Sequence, residues 1–290
     1  MDYHSDRFQD FSLLIYKNDK LIALLPANRK ADTVFSHQGL TYGGLIYAKN
    51  FKTTDAIYCF KALLKFLNSN KIKTLSLKEL PSIYLKNATN NTMAYLLFKL
   101  KAALVRVDMH SVIDLKHKAY SNSRKEGFKR GLKHHLIVEE THVFDLFWNN
   151  ILIPNLKNKH LIKPVHSLEE ITRLKSNFKD NIRQFNVLYN NKIVAGTTIF
   201  ETKNVAHCQY ISGNADKNEL GSLDFLHQHL IENVFAEKLY FSFGTSNINN
   251  GEQVNEGLLF WKEGFGARSI TQQFHNIETK NYVLLDEVLV

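Results

Sequence analysis

An internal repeat limits the fold of this chain more than any other feature. Leu14-Ile15-Tyr16-Lys17-Asn18-Asp19-Lys20-Leu21-Ile22-Ala23 reads as strand, tight turn, strand, and Val187-Leu188-Tyr189-Asn190-Asn191-Lys192-Ile193-Val194-Ala195-Gly196 reads the same way. The Asn- and Asp-rich centres suit the positive φ angles of two-residue hairpin turns. The segments downstream of the two hairpins also match. After the first come an extended piece ending in the glycine turn Tyr42-Gly43-Gly44-Leu45, a stretch with Ile57, Phe60, Leu64 and Leu67 at helical spacing, and a short strand over 72–77. After the second come a strand over 206–211, the turn Gly213-Asn214, a helical face of Leu223, Leu226, Leu230 and Val234, and an alternating strand over 239–243. Two lobes of one α/β design account for this order most simply; chance likeness between two α/β stretches is the alternative.

The middle of the chain differs. Residues 104–115 alternate as in a strand. Residues 121–135 then carry Arg124, Lys125, Lys129, Arg130 and Lys133, and Ser123-x-x-Glu126 is a candidate capping box for a basic helix. A second box, Ser167-x-x-Glu170, follows His166 and opens a helix with Leu168, Ile171, Leu174 and Phe178 as its apolar face. The expected division is a first lobe over 1–115 and a second over 116–290, with the basic helix near 121–135 connecting them.

Hydrophobic residues make up 44% and charged residues 22%, the balance of a globular chain with a core. The longest apolar runs, such as Leu21-Ile22-Ala23-Leu24-Leu25, fall far short of the ~20 residues that span a bilayer. The start, Met1-Asp2-Tyr3-His4-Ser5-Asp6, lacks the basic and apolar parts of a secretory leader, so a cytoplasmic protein without a transmembrane segment is expected. Cys59 and Cys208 are the only cysteines. They form no C-x-x-C spacing and sit in apolar contexts, which predicts buried free thiols and no metal. Thirty-seven lysines and arginines against 28 aspartates and glutamates leave a net charge of +9, which favours anionic partners: CoA, nucleotide-sugars, tRNA or a membrane surface. P-loop, Rossmann and G-x-S-x-G signatures are absent from the sequence.

The order hairpin, strand, turn, helix, strand, closed by Phe260-Trp261-Lys262-Glu263-Gly264-Phe265-Gly266, is similar to the core of the GNAT acyltransferases. Two such lobes with a basic Ser-x-x-Arg-Lys stretch resemble the FemAB-like branch. That branch includes aminoacyl-tRNA-dependent peptidoglycan transferases and acetyltransferase-like relatives with a BioF2-like domain. The resemblance covers most of the chain and is most specific over 164–268. It implies an α/β (α+β) fold of two GNAT-like lobes, the first truncated relative to family members. It also implies an N-acyltransferase with acyl-CoA or aminoacyl-tRNA as donor. The acceptor would be an amine, such as an amino sugar, a nucleotide-sugar or a cell-envelope precursor; DNA is not expected among its partners.

The resemblance also implies roles for particular residues. A GNAT lobe holds the CoA pyrophosphate on backbone N–H groups at a helix start. Here that stretch is Ala215-Asp216-Lys217-Asn218-Glu219-Leu220-Gly221-Ser222, in which only Gly221 and Ser222 match the usual pattern and Glu219 opposes it. Ser246 and Asn247 follow Gly244 at a strand end, where open α/β sheets bind ligands, and Asn255 stands where GNAT lobes often hydrogen-bond the cofactor arm. A plain turn explains Gly244, Ser246 and Asn247 equally well. Lys262 takes the place of a lysine near the reacting ester in FemAB-like enzymes, where an ammonium stabilises the oxyanion. A helix-end lysine favoured by the helix dipole is the competing explanation. Trp261 takes the place of the GNAT tyrosine that protonates a leaving thiolate, a task indole cannot perform.

From the residues themselves, His207 is a candidate general base, since its strand borders the expected acyl site, and His166 is a candidate facing a cleft. Lys125, Lys129 and Arg130 are candidates for phosphates of an acceptor or tRNA, with a solvated helix face as the plain reading. His110-x-x-x-Asp114 spells the motif of another acyltransferase class but lies inside an alternating strand. The second function class open to this chain is a catalytically inactive GNAT-like module that binds a nucleotide-sugar or a partner protein.

Overall fold

The computed structural model describes residues 5–48, 51–85, 91–160 and 163–290. Met1–His4, on which the expectation about a leader partly rests, lie outside the described residues. In chain order the strands and helices are β1 (Gln9–Asp10), β2 (Leu13–Lys17), β3 (Lys20–Leu25), β4 (Asn28–Lys30), β5 (Thr33–Phe35), β6 (Ile46–Tyr47), α1 (Thr53–Ser69), β7 (Thr74–Lys78), α2 (Thr92–Lys99) and β8 (Ala103–Asp114). Next come α3 (Asn122–Lys133), β9 (Ile137–Thr141), α4 (Asp145–Phe147), a π-helical turn (Trp148–Leu152), α5 (Ile153–His160), α6 (Leu168–Asn177), β10 (Ile182–Tyr189), β11 (Lys192–Glu201) and β12 (Val205–Gly213). The chain closes with α7 (Lys217–Leu220), α8 (Ser222–His229), β13 (Tyr240–Thr245), β14 (Asn247–Ile248), β15 (Gln253–Val254), α9 (Glu256–Glu263) and β16 (Arg268–Glu278). Among the described residues no helix is long and apolar enough to cross a membrane.

Two compact units result. Unit 1 comprises Met1–Asp108, Asn249–Glu252 and Thr271–Val290; unit 2 comprises Met109–Ile248 and Gln253–Ile270. The division expected near residue 115 falls at 108/109. The last segment of the chain returns to unit 1, which a linear reading of the repeat does not foresee.

In unit 1 the strand order is β1-β4-β5-β7-β16, with β5 parallel to β7 (Val34↔Leu75) and β7 antiparallel to β16 (Leu77↔His275). The connection from β5 to β7 contains α1, whose Ile57, Phe60, Leu64 and Leu67 are buried in one core with Leu75, Leu77, Leu96 and Ile277. The first hairpin forms as expected, with Asn18 and Asp19 at φ 48° and 58°. It pairs with β6 in a separate three-stranded sheet rather than with β5, so the repeat holds in chain order but not in pairing.

Unit 2 repeats the theme at larger scale. Its strand order is β8-β13-β12-β11-β10-β9, antiparallel except for β12 and β13, which run parallel. The second hairpin turns on Asn190 and Asn191 at φ 49° and 59°. Its core joins Phe185, Val187, Ile199, Leu226, Leu230, Phe241 and Phe265. Phe265 is fully buried, and Gly266, at φ 86°, lies where an added Cβ would come within 2.6 Å of the Ala119 carbonyl. The Gly-Phe-Gly end of the signature segment is therefore packing and turn.

Helix starts follow the cap chemistry. Ser167 and Glu170 form the expected reciprocal box at α6. At α3 the cap is Ser121, which accepts from Arg124 N, rather than the expected Ser123. Ser121 N is in turn held by Gly264 O at 2.8 Å, and this contact sets where the helix can begin.

Candidate active site

The site of unit 2 begins where two strands part. β12 and β13 pair only over Val205↔Tyr240, Ala206↔Phe241 and His207↔Ser242, after which each continues without the other. A bulge in β12, between the pairs Thr198↔Tyr210 and Ile199↔Cys208, adds local twist at that point. Gly244, at φ 67°, removes the side chain that would meet His207: a Cβ there would lie 3.2 Å from His207 Cε1. The imidazole fills the fork. Its Nδ1 is 3.1 Å from Ser242 Oγ, and that oxygen accepts from Gly244 N at 3.3 Å. Burial, with His110 and Lys262 nearby, holds His207 down at about 3 and so neutral. A base of that strength captures few protons near neutral pH.

Lys262 closes the fork from α9. Asn255 caps this helix by accepting from Leu258 N at 2.9 Å, and about two turns later Lys262 points inward and is buried. Its Nζ donates to Thr245 O at 2.7 Å and Gly244 O at 3.2 Å. The third N–H has no partner among the described residues. Burial lowers the ammonium to about 8, against a small opposing pull from Cys208. Cys208 and Cys59 are both buried thiols, each pushed up to about 12 by burial.

Beside the fork is a cleft of about 660 Å³. Arg124 and Arg130 of α3, Asn155 of α5, Ser212 and Gly213 at the end of β12, Lys217, Asp224 of α8, and Asn255, Gly257 and Trp261 line it. Asp224 joins three helices: Oδ1 accepts from Arg124 Nη1 at 2.5 Å and from Trp261 Nε1 at 2.9 Å. Burial raises the Asp224 carboxyl, opposed by Arg124 and Trp261. Trp261 thus serves as a link between helices. Asn155 Nδ2 donates to Ser212 Oγ and Gly213 O, both at 2.8 Å, tying α5 to the end of β12. Three basic lining residues against one acidic residue give the cleft a net positive lining.

The arginines reach the cleft because α3 lies tightly on α8. A Cβ at Gly127 would fall 1.8 Å from Asp224 Oδ2, and one at Gly131 would fall 2.5 Å from Phe225 Cβ. The same contact covers the start of α8. Gly221, at φ 65°, has space for a Cβ only 2.1 Å from Gly127 O, and Ser222 is fully buried, with an Oγ that has no partner among the described residues.

The expected site residues therefore separate into groups. Arg130 and Asn255 line the cleft, and Lys262 and His207 share the fork. Gly221 and Ser222 lie beneath α3. Ser246 is buried, with its carbonyl accepting from Asn255 N at 2.9 Å; Asn247 Oδ1 accepts from Met109 N and Thr245 Oγ1. Lys125 and Lys129 are exposed on the outer face of α3, the latter paired with Glu126 at 2.9 Å. His166 is buried against Phe200, with Nδ1 2.7 Å from Tyr210 Oη, and is not among the residues that line the cleft. His110 and Asp114 form no pair; Asp114 accepts from Lys116 N and lies 3.1 Å from His117. Arg124, Asn155 and Asp224 are among the cleft residues that sequence reasoning did not nominate, whereas Lys217 lay within the nominated 215–222 stretch. The i, i+3, i+7 spacing of Arg124, Gly127 and Gly131 carried a signal for the first; Asn155 carried none. Among the described residues no group of His, Cys, Asp and Glu gathers as a metal site.

No protein-family model matches the chain, and no curated protein matches it by sequence. Solved structures do match in shape. FemX is 8% identical, covers 97% of this chain and 90% of its own, and superposes with a TM-score of 0.65. L-PGS from Bacillus licheniformis is 10% identical over 94% of this chain and 88% of its own, with a TM-score of 0.59. A tandem GNAT protein from the clavulanic acid biosynthesis pathway is 12% identical over 92% and 82%, with a TM-score of 0.51. At such identities the likeness is one of fold alone: the chain is similar in fold to FemX, L-PGS and a tandem GNAT protein.

Proposed function

We propose that unit 2 is an N-acyltransferase site. The observation that carries this reading is the buried Lys262 ammonium, fixed at the end of β13 by two carbonyls and with one N–H left over, at the fork of two parting parallel strands. An acyl carbonyl brought to that N–H would gain a preorganised donor in a water-poor setting as its oxygen becomes an oxyanion. The nucleophile is an amine that attacks directly. A C–N bond forms, the C–S bond of a thioester or the C–O bond of an aminoacyl ester breaks, and the amine proton leaves with the departing group or solvent. The protein supplies positioning and the oxyanion contact. His207, neutral and bound to Ser242, has a place in shaping the fork rather than in accepting that proton.

The basic cleft suits the phosphates of the donor, either acyl-CoA or aminoacyl-tRNA, with Arg130 and Lys217 as its cations. Both donors belong to the cytoplasm, and an amino sugar or cell-envelope precursor is the acceptor class the family resemblance suggests. Lys125 and Lys129 would extend the cationic surface for a longer polyanion such as tRNA. The covered start of α8 favours a second reading, a module that binds without turnover, because the backbone N–H groups that would hold a pyrophosphate lie under α3.

Transfer of labelled acyl groups from acetyl-CoA and from charged tRNA to amine acceptors separates the two. Transfer that Lys262→Met abolishes, with donor binding retained, supports the first. Donor or nucleotide-sugar binding with no transfer from either donor leaves the second.

A further inference from the structure

We propose that unit 1 carries a second ligand pocket, built for a small organic ammonium ion with an apolar body. The pocket measures about 260 Å³, just below the usual range of ligand sites and too small for a nucleotide. It lies wholly within unit 1 and shares no lining residue with the cleft of unit 2, so it stands whether or not unit 2 transfers acyl groups.

Its chemistry points to a cation. Phe60 of α1, Leu77 of β7 and Leu96 of α2 form apolar walls. Tyr47 and Phe51 stack at 4.9 Å and 18° and present aromatic surface to the same space. Glu79 is the one acidic or basic residue among the described lining residues, in a chain with 37 lysines and arginines. Its backbone is pinned on both sides: Glu79 N donates to Gln273 O, and Gln272 Nε2 donates to Glu79 O, each at 2.9 Å. The carboxylate has a single polar neighbour among the described residues, His275 Nδ1 at 3.0 Å from Oε1, and its side chain remains 25% exposed. Oε1 is buried and makes no hydrogen bond of good geometry with the His275 ring, so the exposed part of the carboxylate is open to a ligand in the pocket that Tyr47 and Phe51 also line, where aromatic surface attracts a positive charge.

Calorimetric titration of the full chain at pH 8 with 2-phenylethylamine, 2-phenylethanol and phenylacetate tests the assignment. These ligands share size and ring but differ in charge. The amine is expected to bind saturably at one site, the alcohol about tenfold more weakly, and the acid not at all. Glu79→Gln should weaken the amine by about tenfold and leave the alcohol unchanged. Equal binding of amine and alcohol, binding of phenylacetate, or the absence of saturable amine binding overturns the proposal, as does a Glu79→Gln variant that binds the amine like the parent. Should that variant fail to fold, the three-ligand series on the parent protein decides alone.

Discussion

A single methyl group added at Gly127 is expected to destabilise unit 2 by about 2–4 kcal/mol, although alanine is the better helix former. On an isolated helix Gly→Ala gains about 1 kcal/mol. In unit 2 the new Cβ would lie 1.8 Å from Asp224 Oδ2, 2.5 Å from its Cγ and 2.6 Å from its Cβ. Since the Asp224 Cβ is itself too close, rotating the carboxylate cannot clear the contact. Either α3 lifts from α8 or the backbone of α8 shifts. Overpacking of this kind costs about 1–3 kcal/mol and straining the charge-assisted Arg124–Asp224 hydrogen bond up to about 1.5–3 kcal/mol, which after the gain of about 1 kcal/mol in helix propensity leaves about 2–4 kcal/mol. Gly257 is the control: an added Cβ there meets nothing nearer than Asn255 Oδ1 at 3.9 Å, so Gly257→Ala should be neutral or stabilising by up to about 1 kcal/mol. Both tryptophans, Trp148 and Trp261, belong to unit 2, so tryptophan fluorescence during urea unfolding reports on the affected unit. With a slope of about 2 kcal/mol/M, the Gly127→Ala midpoint should fall by about 1–2 M. A Gly127→Ala midpoint equal to or above that of the parent would refute the close α3–α8 contact.

Three further outcomes are expected. The Lys262 ammonium is held near 8 rather than 10.5, so the folded protein carries a cost of about 3 kcal/mol below pH 8. Between those values the unfolded chain binds more protons, and stability should rise with pH, while any transfer that needs the ammonium should fall. Lys262→Met should flatten that part of the stability curve and lower transfer by about 100-fold or more at pH 7; parallel pH profiles for parent and variant would show the ammonium to be idle. Arg130→Ala should weaken binding of a phosphate-bearing donor and reduce its salt slope by about one, and an unchanged slope would remove Arg130 from the anion site. Ser167→Ala should cost about 1 kcal/mol through loss of the α6 capping box, measured by thermal unfolding.

The repeat, the two hairpins and the apolar faces of α1 and α8 were legible in the sequence, because they rest on short-range rules: side-chain period, turn residues with positive φ, and cap chemistry. The fold family was legible in the carboxy-terminal Phe260–Gly266 segment for a related reason, since Phe265 and Gly266 answer to local packing and φ. Tertiary contacts decided the rest. The α3 cap falls at Ser121, whose N–H is held by distant Gly264 O, rather than at Ser123, and the first hairpin pairs with β6 in its own sheet. The sequence marked Lys262 as a candidate, but its burial and its two carbonyl partners come from β13, 17 and 18 residues away. Arg124, Asp224 and Trp261 meet across gaps of 100 and 37 residues, a constellation no local pattern announces. The pair of glycines that brings α3 onto α8 both builds the cleft and covers the helix start that local sequence had nominated as the phosphate site. Periodicity and turn chemistry act over a few residues and so can be read along the chain. The site depends on which distant backbones approach closely enough to touch, and that is set only when the whole unit packs.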